Sequence, residues 1–107
     1  MPQFMCTHTL PPGKFSTDQL RQFARAAQQD SVIKGYRSFA NLAEGKAVCV
    51  MESPNRESLI AWFTKMGMPF DSITKVELEG ERGTILELDR ERGAIKAAAF
   101  CATAVKE

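Results

Sequence analysis

A cysteine and the chain's single histidine stand two residues apart near the N-terminus, in Phe4-Met5-Cys6-Thr7-His8. Strand side chains alternate faces with a period of two, so on a strand Cys6 and His8 point the same way. A thiol and an imidazole on one face are the start of a soft-metal site or of a nucleophile site. A second strand-like run, Ala47-Val48-Cys49-Val50-Met51-Glu52, carries another thiol with a thioether two residues on. If the two runs are neighbours and present the same face, Cys6, His8, Cys49 and Met51 converge. Adjacent strands lie about 4.8 Å apart, within reach of one shared ion. Thiolate, thioether and imidazole together suit nickel, zinc or copper better than magnesium or calcium. A Cys6–Cys49 disulfide is within geometric reach on the same grounds.

The elements that must position these groups are legible in the pattern. Residues 3–10 alternate and favour β structure, and Pro11-Pro12-Gly13 stops the strand. Ser16 followed by Gln19 forms a capping box, and Leu20, Phe23, Ala24 and Ala27 lay an apolar stripe on a helix over residues 17–29. Residues 32–41 and 47–52 read as two strands of a hairpin joined through Ala43-Glu44-Gly45-Lys46. Ser53-Pro54 then opens a second helix, with serine as the N-cap and proline at the first position. Its stripe is Leu59, Trp62, Phe63 and Met66; Gly67 caps it and Pro69 forbids continuation. A fourth strand covers residues 73–78.

The order is β-α-β-β-α-β. This is an α+β chain of the ferredoxin-like split βαβ class, with an antiparallel or mixed sheet and two helices on one face. Residues 1–79 form that domain. Residues 80–107 are an extension packed on it or on a partner: a loop at residues 80–83, a fifth strand at 84–88, and an alanine-rich tail, read as helix, that contains Cys101. The first and third strands are expected to be central, parallel neighbours. Val48 and Val50 suit packing under helices, which puts Cys49 and Met51, and with them Phe4, Cys6 and His8, on the bare face. A bare apolar face seeks a partner, so a homodimer or higher homo-oligomer is expected, pairing two copies of His8 and Cys6.

The bulk numbers exclude several classes. A chain of 107 residues with net charge +1 and interspersed acids and bases lacks the concentrated basic face of a nucleic-acid binder. No run approaches the roughly 20 apolar residues that cross a bilayer. The N-terminus has no basic region followed by a long apolar run, so the expected setting is the cytoplasm. Three cysteines without Cys-x-x-Cys argue against a disulfide scaffold or a zinc ribbon. Gly-x-Gly-x-x-Gly, Gly-x-Ser-x-Gly and His-Glu-x-x-His are absent from the sequence.

The first-strand motif, Gly35, the segment Val48 to Pro54, and Gly67-Met68-Pro69 before Asp71-Ser72-Ile73 together resemble a family of small ferredoxin-like bacterial proteins. Most members have no assigned function; one branch is nickel-binding and dimeric. The resemblance spans residues 2–78 and implies metal binding at a site that includes His8. The chain departs from the family pattern by carrying Cys6 where aspartate is common. It also lacks histidines near Met66 or Met68 and near Gln28 and Gln29, which moves the donor set toward softer metals.

Two other readings stand beside the metal one. In a dimeric ferredoxin-like enzyme of isomerase or cofactor-free oxygenase type, a cavity between sheet and helices holds an organic substrate. His8 or Tyr36 is then the acid or base, with Arg37 also near that cavity. In a purely structural oligomerisation domain, His8 is an ordinary hydrogen-bonded histidine, and Cys6, Cys49 and Cys101 are small buried hydrophobes.

Overall fold

The computed structural model describes residues 1–88. Strand β1 (Gln3–Thr9) leads into helix α1 (Thr17–Gln29), then β2 (Lys34–Asn41) and β3 (Lys46–Glu52), helix α2 (Arg56–Met66), β4 (Ser72–Lys75), and a hairpin of β5 (Leu78–Glu81) and β6 (Thr84–Glu87). The split βαβ order is present, and the sheet runs β2-β3-β1-β4.

Helix α1 starts as its capping box dictates. The Gln19 amide donates to Ser16 Oγ at 3.1 Å, and the Ser16 amide donates to Gln19 Oε1 at 2.8 Å. Helix α2 begins later than the Ser-Pro signal suggests. Asn55 is its N-cap, accepting from the Ser58 amide at 2.8 Å. Ser53 is fully buried and belongs to the strand end: its amide donates to the Pro2 carbonyl, and its hydroxyl donates to the Asn55 carbonyl. Gly67 ends α2 in the left-handed conformation at φ 71°, as a C-terminal glycine does.

Every ladder in the sheet is antiparallel. The expected parallel β1–β3 pairing is therefore wrong, for a topological reason. A helical crossover makes β1 and β2 run the same way, the β2–β3 hairpin reverses β3, and β3 sits between them. In the observed register Cys6 faces Cys49, Phe4 faces Met51, and Thr7 faces Val48.

The expected facing of the sheet is reversed as well. Phe4, Cys6, Met51, Leu59, Trp62, Phe63, Ala27 and Ile33 form one buried cluster, with Cys49, Met66 and Met68 packed against it. The cysteine face therefore lies under the helices. Val48 is exposed with Met5 and Phe39 on the other side. β-Branched residues fit a pleated surface on either face, so the valines did not identify the covered one. Phe4 and Met51, large groups in line with the cysteines, supply the apolar area that α2 buries.

Beyond β4 the chain makes a hairpin where a loop was expected at residues 80–83. Gly80 and Glu81 belong to β5, and the turn is confined to Arg82 and Gly83. The expected strand from Thr84 is present as β6. The expected tail helix and Cys101 lie outside the described residues.

Candidate functional site: a histidine–cysteine pair on an apolar pocket

His8 sits at 1% exposure on the helix-covered face of β1. Its Nδ1 lies 2.7 Å from the Pro69 carbonyl, which accepts only, so Nδ1 carries a hydrogen and donates it. Nε2 lies 3.1 Å from Sγ of Cys49. The ring is further held edge-on by Phe63, centroids 5.1 Å apart at 78°. Both nitrogens and one face of the imidazole are thus fixed by three different segments: the loop after α2, β3, and α2 itself.

The electrostatics divide the two thiols. The hydrogen bond from Cys6 and then that from His8 outweigh burial and bring the Cys49 thiol down from 9.0 to about 6. Cys6 moves the opposite way: its hydrogen bond to Cys49, its burial and the neighbouring charge all hold it as a thiol. Burial works to lower the basicity of His8, but the hydrogen bonds to Cys49 and Pro69 and the charges of Cys49 and Asp71 prevail, leaving it raised. The Cys49 thiolate is thus favoured beside the His8 ring and Cys6, whose own Sγ lies 3.9 Å from the Phe4 carbonyl.

A pocket of about 330 Å³ opens on this pair. His8, Cys49, Met51 and Met68 line one part of it; Leu20, Phe23, Ala24 and Ala27, the α1 stripe, line another. Of that stripe only Ala27 is fully buried. The helix therefore walls a cavity rather than closing on the sheet. Tyr36 and Arg37 are at the pocket too, but the Tyr36 hydroxyl donates to Glu79 Oε2 at 2.7 Å.

The structure thus brings Cys6, His8 and Cys49 together, as their shared face implies, and puts Met51 beside them. It does so inside the subunit. With Cys6 at 0% and His8 at 1% exposure on the covered face, two copies of these residues do not meet across the bare face, contrary to expectation. Among the described residues, no three His, Cys, Asp or Glu side chains are grouped to hold a metal ion. Sequence reasoning missed Pro69, whose contribution is a backbone carbonyl, and Phe63, which reads as core. The place of Gly67-Met68-Pro69 at a helix end and its part in the family resemblance marked that segment, but not its carbonyl.

Residues 4–76 match the family described as Nickel responsive protein SCO4226-like. The chain belongs to this family. Among solved structures it is similar to the crystal structure of SCO4226 from Streptomyces coelicolor A3(2). The TM-score is 0.61 and the identity 27%, over 73% of this chain and 99% of that one. No curated protein sequence matches the chain. Among the described residues, no helix is long and apolar enough to cross a membrane.

Proposed function

We propose that this member of the nickel-responsive family binds a transition-metal ion through Nε2 of His8 and Sγ of Cys49. The observation that carries this reading is their 3.1 Å separation, with Nδ1 already anchored on a carbonyl. Metal-bound histidines typically hold the other ring nitrogen in that way, which fixes tautomer and orientation. With bond lengths of about 2.0 Å to nitrogen and about 2.3 Å to sulfur, two donors on one ion lie roughly 3.1 Å apart at a right angle and roughly 3.5 Å apart at a tetrahedral angle. The pair therefore fits two adjacent coordination positions with little movement.

Cys6, opposite Cys49, and Met51, next on the same strand face, are the nearest further donors of the right softness. An imidazole and a thiolate without a carboxylate suit nickel, zinc or copper. Bound there, the ion would meet any small molecule entering the pocket. Free thiols at Cys6 and Cys49 fit the reducing cytoplasm.

A homodimer forms, in this reading, through the bare sheet face, where Met5, Val48 and Phe39 are exposed. It joins subunits without contributing to the metal site.

The test is calorimetric titration of reduced, metal-free protein with nickel, zinc and copper(I). Stoichiometric binding that is lost in both His8→Ala and Cys49→Ser is expected. Undiminished binding of all three ions by Cys49→Ser would overturn the assignment.

A further inference from the structure

Cys6 and Cys49 are directly opposed across an antiparallel ladder. Opposed residues in such a ladder have Cα atoms about 4.5 or 5.5 Å apart, depending on the hydrogen-bonding position, and both values fall in the range a disulfide requires. The Cα spacing of the pair is therefore compatible with a disulfide. The two sulfurs are not equally accessible. Cys49 lines the pocket, whereas Cys6 is 0% exposed and is not on its walls. A molecule in the pocket meets Cys49 first, and the second thiol waits beside it. His8 Nε2, 3.1 Å from Cys49 Sγ, is the ring nitrogen free to exchange a proton with the reacting atoms, since Nδ1 is committed to Pro69. Much of the remaining lining is apolar, with Leu20, Phe23 and Trp62 among it, alongside the polar Gln28, Arg37 and Ser38.

The geometry points to a thiol-dependent reduction of organic hydroperoxides, with Cys49 as the attacking sulfur, His8 as its proton carrier and Cys6 as the resolving thiol. Two adjacent thiols together give up two electrons, so the acceptor must take two. It must also be small, with a polar reacting end and an apolar remainder. A hydroperoxide on a hydrocarbon skeleton meets each condition, and a volume of about 330 Å³ admits one of aromatic size.

In the first step the Cys49 sulfur attacks the terminal oxygen of RO–OH and the O–O bond breaks. Cys49 becomes the sulfenic acid, and the alkoxide leaves with the proton that Nε2 had taken from Cys49, as ROH. In the second step the Cys6 sulfur attacks the sulfenic sulfur. The S–S bond forms, and the hydroxyl leaves with the Cys6 proton as water. The sum is two thiols and ROOH giving a disulfide, ROH and water. The reaction concerns the metal-free protein, so it stands or falls apart from the metal reading.

The experiment uses reduced, chelator-treated full-length protein carrying Cys101→Ser, with cumene hydroperoxide and hydrogen peroxide as probes. One equivalent of cumene hydroperoxide should be consumed per chain, and peptide mapping should recover a Cys6–Cys49 disulfide. The cumene probe should react about tenfold faster than hydrogen peroxide, the effect of burying part of its hydrocarbon. Cys6→Ser should stop at a sulfenic acid that dimedone traps on Cys49. Cys49→Ser should consume none, and His8→Asn should slow the first step roughly hundredfold. The serine variants are near-isosteric, so a folding failure does not shield the idea. Absence of the Cys6–Cys49 disulfide, consumption by Cys49→Ser equal to the parent's, or a cumene rate no higher than that of hydrogen peroxide would each overturn it.

Discussion

Alkylation of Cys49 as a function of pH reads the histidine–cysteine pair directly. A thiol brought to about 6 is roughly nine-tenths thiolate at neutral pH, whereas one left at 9.0 is about one-hundredth thiolate. The gain in thiolate is thus about ninetyfold. Stabilising a thiolate by three pH units also lowers its intrinsic nucleophilicity, by roughly twentyfold at a Brønsted slope near 0.45. The net rise in alkylation rate at neutral pH is therefore only about four- to fivefold. The rate alone decides little; the midpoint decides. In protein carrying Cys101→Ser, iodoacetamide should label Cys49 with a midpoint near 6, and thiolate absorbance in the ultraviolet should titrate in step. Cys6, buried and held as a thiol, should stay unlabelled at neutral pH. Cys6→Ala should raise the midpoint more than His8→Ala does, because the Cys6 hydrogen bond is the larger cause of the lowering. A wild-type midpoint in the ordinary thiol range, unmoved by either substitution, would refute the ion-pair reasoning.

Stability should follow the same proton. The folded state lowers the Cys49 pKa, so this group's stabilising contribution is full above the unfolded value near 9 and is lost as pH falls through about 6. His8 works against this, because its pKa is raised partly by Cys49 and its own contribution is full below about 6.5 and lost as pH rises through the folded value. Urea melts should therefore show wild type gaining on Cys49→Ser chiefly at the alkaline end of the range from pH 6 to 9; a wild type that loses on the variant toward pH 9 would contradict the linkage. Leu59, fully buried in the cluster beneath α2, should cost about 2–5 kcal/mol as Leu59→Ala by the same melts. Gly45→Ala should destabilise far more than Gly13→Ala. Both glycines have positive φ, but a Cβ at Gly45 would lie 2.6 Å from the Leu10 carbonyl, whereas one at Gly13 meets nothing within 4 Å. Phe39→Glu and Met5→Glu should each shift sedimentation at micromolar concentration toward monomer without changing metal stoichiometry.

Much of the architecture was readable because each element carries its own punctuation. The capping box at Ser16, the stripe from Leu59 to Met66 and the glycine at residue 67 all act locally, and the structure keeps them. The errors arose where a decision was not local. Alternation tells which residues share a face, and Cys6, His8, Cys49 and Met51 do share one. It does not tell which face the helices cover, and two valines pointed the wrong way. The start of α2 was misplaced because Ser53 is drawn into contacts with Pro2 and Asn55, leaving the capping to Asn55. The site was half legible. The donor types were visible, but their partner at Nδ1 is the Pro69 carbonyl, a backbone atom with no residue signature.

In the proposed site one metal ion bridges the ring nitrogen of His8 and the sulfur of Cys49. X-ray absorption at the metal edge of nickel-loaded protein addresses it most directly. The spectrum should show a sulfur shell near 2.3 Å together with the multiple-scattering pattern of an imidazole, with the sulfur contribution reduced in Cys49→Ser. A bound ion surrounded by oxygen and nitrogen alone, with the same spectrum in wild type and Cys49→Ser, would contradict it.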